Sequence, residues 1–476
     1  MGNRPLTIYS KSKDITARRN SIRVVLYVHV SALALLSLVM AENAFLSMSL
    51  GGKSAWLIGV TVLIAIALRS LTEQREGSAL FLCYLVLVVF HTGLYLNLAF
   101  TGDRPDILQQ PSTFWFSDDD AGYAAYLIIL AELSFLLGSA LYFWIRPSHQ
   151  ASLVGVVDSK LDVARRAAFA DVGSAVVVFG VAGWYLTSAI AAGPFFFLNN
   201  YGTFLSETAG SNLPIYYSLI SLGSVLAVQD LGRPGAKAAL VAFGVFFTLA
   251  MPIGLRGEVL FPLVAGLAIY FKNVKTPRSL LIWLLVGAGL YLISLVQSLR
   301  QVGLAAGFGS IAVPSPWAAL EEMGGSVRVL ITSIGWHERA GEEYYLGTTY
   351  WAPFERAFLG VLGLERLPAQ LDYRLMNIEV SERVGQIGGS IIAEAHHNFG
   401  VVGIIVIMGF CGGGLAWVSR HPMTALQSSF AGILVVLFLT HVRNSFAPTA
   451  AWLATGVVMI GVAAIFARLQ VRRLRK

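Results

Sequence analysis

Three arginines lie where apolar runs of this sequence end, and arginine in such a place can do chemistry on an anion. Arg256 sits in Gly254-Leu255-Arg256-Gly257-Glu258, a short stretch between two apolar runs. Arg300 closes another run, and Arg443 closes a third in His441-Val442-Arg443-Asn444. A guanidinium stays charged at any physiological pH and grips phosphate oxygens through a planar fork. Three of them at one depth would suit a pyrophosphate. The plain alternative for any one of them is a side chain snorkelling to lipid headgroups. Arg256 departs from it, because Gly254 and Gly257 flank it and permit close backbone approach.

A second group lies in Gly388-Gly389-Ser390-Ile391-Ile392-Ala393-Glu394-Ala395-His396-His397-Asn398-Phe399-Gly400. Glu394 and His397 are three apart and share a helix face. A carboxylate and an imidazole there could act as general base or orient an acceptor hydroxyl. His396 points about 100° away. The competing view is a polar helix start, with Glu394 near the positive end of the helix dipole. No third ligand stands at a spacing that would hold a metal, so no metal and no cofactor are expected. Glu258, His396, Asn398, Tyr201 and Glu207 complete the set expected to bind substrate. The last two come from Tyr201-Gly202-Thr203-Phe204-Leu205-Ser206-Glu207.

The elements that must position these residues are membrane helices. The chain of 476 residues is 56% hydrophobic and 13% charged, against roughly 25% charged in soluble domains. Apolar runs recur from end to end, each long enough for a hydrocarbon core of about 30 Å. They predict an all-α polytopic membrane protein forming one membrane domain over 1–476. About twelve helices are expected, at 24–42, 54–68, 78–100, 121–145, 169–190, 213–230, 238–254, 258–271, 280–298, 388–418, 428–443 and 448–467. The net charge of +7 belongs to this topology rather than to a nucleic-acid partner. With both termini cytoplasmic, most basic residues fall on inner segments, as charge asymmetry requires. These include Arg4, Arg75, Lys275, Arg278 and the Arg475-Lys476 tail. The three arginines and the Glu394 segment then share the outer face. Cys83 and Cys411 lie inside apolar runs and form no metal spacing or disulfide framework.

Three outer segments exceed a turn: Thr101–Gly122, Ala191–Asn212, and Arg300 to about Gly388. The first carries Asp118, Asp119 and Asp120, which read as a solvated loop. The third, 300–388, is large enough for a small, partly helical subdomain. Its Trp317, Trp336, Tyr344, Tyr345, Tyr350, Trp351 and Phe354 argue against disorder. They would serve to stack on sugars or to anchor at the headgroup level. Glu132 is the main charge deep inside a span, a packing residue or a proton relay.

The Gly254–Gly257 turn, the helix ending in Arg300, the long outer loop and Gly388–Gly400 together resemble the O-antigen polysaccharide polymerase family, also called Wzy or oligosaccharide repeat unit polymerases. Tyr201-Gly202…Ser206-Glu207 is similar to a segment of the enterobacterial common antigen relatives. The resemblance covers roughly 195–445. Where relatives carry aromatics before Asn-Phe-Gly, this chain has His396 and His397, which carries a catalytic histidine over less securely than Arg256. The resemblance implies a fold like the C-type glycosyltransferases in a bacterial inner membrane, with the active site facing the periplasm. It implies donor and acceptor glycans on undecaprenyl pyrophosphate, and a chain-length regulator as partner. Arg256, Arg300 and Arg443 would neutralise the leaving group, and Glu394 or His397 would accept the hydroxyl proton. Two rivals stay open: an O-antigen ligase using the same cations, and a flippase or transporter for lipid-linked sugar.

Overall fold

In a bilayer only structures that satisfy their own backbone groups can span, and long apolar runs therefore wind into helices. The computed structural model of the chain describes residues 6–72, 77–101, 117–146, 160–273, 279–304, 315–420 and 423–474, and among them are helices and turns but no strand. In chain order the helices are α1 (Leu6–Met40), α2 (Glu42–Leu46), α3 (Leu50–Leu71), α4 (Ala79–Thr101), α5 (Asp118–Ile145), α6 (Lys160–Ala192), α7 (Tyr201–Glu207), α8 (Leu213–Ala227) and α9 (Pro234–Ile253). They continue with α10 (Arg256–Asn273), α11 (Ser279–Val302), α12 (Pro316–Met323), α13 (Val327–Ile334), α14 (Thr348–Val361), α15 (Met376–Arg383), α16 (Ile391–Val418), α17 (Ala425–Arg443) and α18 (Phe446–Leu474). Arg4, Arg75, Lys275, Arg278, Arg475, Lys476 and residues 102–116 of the first outer segment lie outside the described residues.

A helix lies over each of the twelve expected positions. Nine described helices are long and apolar enough to cross a membrane: α1, α3, α4, α5, α6, α9, α16, α17 and α18. The chain is therefore a multi-pass membrane protein. α8 has only 15 residues. α10 carries Pro262, and its charged residues sit at both ends. α11 holds a shorter apolar stretch, Val286–Gln297.

Local sequence sets the helix ends. Ser117 and Asp120 form a capping box at the start of α5, and Thr424 with Gln427 does the same for α17. Such caps satisfy amides that a helix start leaves bare. α5 is the central helix, buried along most of its length. It packs closely on α16 because Gly138 and Gly412 bring the two backbones together, as small residues do between membrane helices. Glu132 of α5 accepts hydrogen bonds from Thr61 (2.8 Å), Tyr84 (3.0 Å) and Thr92 (3.0 Å). Its carboxylate is a packing centre for α3, α4 and α5.

The stretch between α11 and α16 is built onto the bundle. α12 lies along α4 where Gly93 meets the Leu320 carbonyl. α13 packs on α5 and α16, and α14 on α18. From Pro316 to Arg339 the chain winds almost without interruption through α12, the turn Gly324–Ser326, α13 and the wide turn Gly335–Arg339.

Candidate active site

The turn between α9 and α10 is made by Gly254, which adopts φ +97° as the left-handed cap of α9. Arg256 then opens α10. A Cβ at Gly254 would sit 2.8 Å from Cγ and Cδ of Arg300, so the absence of a side chain lets Arg300 lie across the turn. Arg256 is only 4% exposed. Its Nη1 donates to Oε2 of Glu322 at 2.6 Å, and its Nη2 donates to Oε1 of the same carboxylate. Nη1 of Arg300 stands 3.6 Å from Glu322 Oε1, while its guanidinium stacks 3.8 Å above the Tyr201 ring.

Arg443 ends α17, with its guanidinium 5.8 Å from the centre of the Phe90 ring. Its Nη1 is 3.8 Å from the place where a side chain on Gly257 would begin. The charges of Arg256, Glu258, Arg300 and Glu322 all act on it. Three guanidinia from three helices thus face one basin with Glu258 and Glu322. Two unit charges 4 Å apart interact by about 4 kcal/mol at an effective dielectric near 20. The basin thus sets three cations against two carboxylates, an excess of one positive charge.

Glu394 has a different setting. It is fully buried in the first turn of α16. Thr349 Oγ1 donates to its Oε1 at 2.7 Å, and the Phe446 amide donates to Oε2 at 2.6 Å. His441 Nε2 lies 3.0 Å from Oε2. Asn398 Nδ2 donates to Thr349 Oγ1 (2.7 Å) and to the Glu394 carbonyl (2.8 Å). This network joins α14, α16, α17 and α18, and both carboxylate oxygens are spoken for.

Gly400, at φ +62°, breaks α16 one turn beyond these residues. The break frees the carbonyls of His397 and Asn398, which accept from the amides of Tyr345 (3.1 Å) and Leu346 (2.9 Å). That docking delivers Thr349 to Glu394. Gly389 anchors the other end of the segment, its amide donating to the Arg443 carbonyl at 2.7 Å. The arginine basin and the Glu394 network are therefore held in one frame.

His396 and His397 face the stretch between α11 and α16. Nδ1 of His397 meets Nε2 of His337 at 2.8 Å, and its Nε2 is 3.1 Å from Glu379. His337 Nδ1 faces the Glu342 carbonyl at 2.8 Å. A carbonyl only accepts, so His337 carries its proton on Nδ1 and accepts from His397 at Nε2. Burial pushes His337 below its usual range, consistent with the neutral ring this requires. His396 pairs with Ser333 (2.9 Å) and lies 3.5 Å from Glu338. The nearby His396 ring, with a hydrogen bond donated by the Tyr344 hydroxyl, holds the Glu338 carboxyl down at about 2. Among the described residues no group of three or more histidine, cysteine or carboxylate side chains could hold a metal ion.

The expected residues thus fall into separate groups. Arg256, Arg300, Arg443, Glu258 and Tyr201 belong to one basin. Glu394 and Asn398 form a buried network, and His396 and His397 join the stretch between α11 and α16. Glu394 and His397, expected to share a helix face with one or the other as base, bond to different partners. Glu207 bonds Asn199 at 3.1 Å on the exposed side of α7. Sequence reasoning missed Glu322, His441 and His337. His441 stood two residues before Arg443. Glu322 had only the amphipathic run Pro316–Met323 as a signal.

A multi-pass helical membrane protein with a cationic basin where several helices end is a candidate for chemistry on lipid-linked anions. Residues 25–471 match the O-antigen polysaccharide polymerase Wzy family. The chain belongs to that family, whose members polymerise lipid-linked repeat units in polysaccharide synthesis. It is also similar to Protein CapE of Staphylococcus aureus, at 24% identity over 255 residues, covering 52% of this chain and 55% of that relative. The chain thus spans about half the length of that relative. No solved structure matches.

Proposed function

We propose that the protein polymerises repeat units carried on undecaprenyl pyrophosphate at the periplasmic face of a bacterial inner membrane. In this reading twelve helices span with both termini cytoplasmic, in an arrangement like the C-type glycosyltransferases. The growing glycan on its lipid is the donor, and a single lipid-linked repeat unit is the acceptor. The acceptor's non-reducing-end hydroxyl attacks the donor's anomeric carbon. The bond from that carbon to the pyrophosphate oxygen breaks, and the electron pair leaves with undecaprenyl pyrophosphate. The chain grows at its reducing end, and a chain-length regulator is a fitting partner.

The observation that carries this reading is the convergence of Arg256, Arg300 and Arg443. Preorganised cations aimed at developing charge are among the largest contributors to catalysis. Glu394 and His397 are both fully buried, and Glu394 has both oxygens engaged. Glu322 also has both oxygens engaged, by Arg256, but it is part-exposed among the basin's cations, where a substrate hydroxyl can reach it, and is the better placed acceptor for the hydroxyl proton.

The test is polymerisation of synthetic undecaprenyl-pyrophosphate repeat units by the purified protein and by Arg256→Ala. A ladder at whole-repeat spacing from the wild type, absent from the variant, is expected. Folded wild type that makes no ladder from its cognate unit overturns the reading. Addition of one glycan to a lipid A core acceptor would point to a ligase instead.

A further inference from the structure

Where α3 and α5 begin, the protein forms an open pocket of about 430 Å³, within the range of about 300–1,000 Å³ usual for small-ligand sites. Four carboxylates (Glu42, Asp119, Asp120 and Glu338), two cations (Lys53 and Arg339) and Tyr123 line it, over an apolar edge of Leu46 and Ile334. It lies apart from the arginine basin. Glu322 and Glu338 are separated by sixteen residues of nearly continuous helix, about 24 Å at 1.5 Å per residue.

The lining mixes groups that only donate with groups that only accept. Arg339 Nε is 2.6 Å from Asp120 Oδ1, so those two are matched. Lys53 is not. It is 3% exposed, packed against Gly122 of α5, and among the described residues its ammonium has no hydrogen-bond or ion-pair partner. A buried charge without a partner is costly, and Lys53 is part of the cavity wall. Glu338 is 40% exposed. It is held from behind by His396 at 3.5 Å and by the Tyr344 hydroxyl, which donates at 2.7 Å.

A simple anion would satisfy Lys53 and be repelled by Glu42, Asp119 and Glu338, and a simple cation would be drawn to those carboxylates and repelled by Lys53. A sugar hydroxyl both donates and accepts. One pyranose ring can therefore give oxygens to Lys53 and protons to the carboxylates, with its C–H face on Tyr123. We infer that this cavity is a binding site for an uncharged sugar ring of the glycan, several rings distant from the bond being formed. Resting on the polymerase reading, it holds the extended glycan while the arginine basin holds the lipid pyrophosphate. It would then help to set repeat-unit specificity and the number of additions per encounter.

The test needs no polymerisation. Oligosaccharides released by partial acid hydrolysis of the host's own polysaccharide are the probe, and saturation-transfer NMR on the purified protein is the readout. Binding is expected with wild type and with Arg256→Ala, and at least tenfold weaker with Lys53→Met and with Glu338→Gln. The exposed position of Glu338 keeps that second variant informative if Lys53→Met fails to fold. Undiminished binding to Glu338→Gln and to folded Lys53→Met overturns the site, as does absence of binding to wild type. A wild type that binds the oligosaccharide but forms no ladder would remove the polymerase reading and leave the sugar site standing.

Discussion

Glu322 closes on Arg256 with both carboxylate oxygens while standing 3.6 Å from Arg300. One carboxylate thus lies between two of the three guanidinia and offsets one of their two charges. An incoming pyrophosphate brings more charge and more oxygens to the same forks, and it would release the carboxylate beside the reacting hydroxyl. Substrate binding would in this way switch on its own base.

Glu322→Gln preserves shape and removes the charge. The variant is expected to bind undecaprenyl pyrophosphate at least as tightly as wild type. Its rate of ladder formation should fall by about 10²- to 10⁴-fold, the usual contribution of a general base. Glu322→Asp should recover part of the loss. Quenched-flow assays on matched lipid substrates measure both quantities, and wild-type turnover by Glu322→Gln would exclude the residue from the chemistry.

Glu394 should behave as a structural residue. Its removal would strand the His441 ring, the Phe446 amide and the Thr349 hydroxyl inside the protein, at about 1–3 kcal/mol for each buried group left unsatisfied. Glu394→Ala is therefore expected to lower the melting temperature in detergent by many degrees. Glu394→Gln, which keeps an acceptor, should do so by less. A Glu394→Ala protein that melts normally but makes no ladder would return this carboxylate to the catalytic list.

Helix positions and the arginine basin were legible in the sequence because each rests on local facts. Apolar length announces a span, and the glycines around Arg256 announce a tight turn. The Glu394 network was only half legible. The spacing of Glu394 and His397 spoke for a shared face, but their partners, Thr349, His441, His337 and Glu379, come from four other segments. Glu322 was hidden for the same reason. Its significance depends on α12 lying along α4, which follows from the contact of Gly93 with Leu320 and from no pattern within α12.

Acid should loosen the contact between α16 and the stretch preceding it before it affects other contacts of this region. His337, depressed by burial, stays neutral when folded, whereas its unfolded value is near 6.5. Its contribution is present above that value. It is lost as pH falls toward the folded value, because the unfolded chain then binds a proton that the folded one resists. Glu338 acts with the same sign at lower pH, its contribution present above 4.5 and lost toward about 2. Protection of the Tyr345 and Leu346 amides, measured as exchange relative to the intrinsic rate at each pH, should fall as pH is lowered below about 6.5. His337→Gln should flatten that dependence, and an unchanged slope in this variant would remove His337 as its source.

Gly389 offers the most direct test of how the basin is held. A Cβ there would lie 2.6 Å from the Ser445 amide nitrogen and would also press on Asn444. Backbone, unlike a flexible side chain, cannot swing away. Gly389→Ala must therefore push α16 from the end of α17, at a cost of about 1–3 kcal/mol typical of overpacking, and carry Arg443 out of register with Arg256. Gly414, on the same helix, has nothing within 4 Å of its would-be side chain. Gly414→Ala is expected to be neutral, or stabilising by about 0.4–1 kcal/mol. Melting temperature and ladder formation measured side by side should thus separate the two variants. Equal behaviour would mean that the close approach of Gly389 to Asn444 does not hold Arg443 in place.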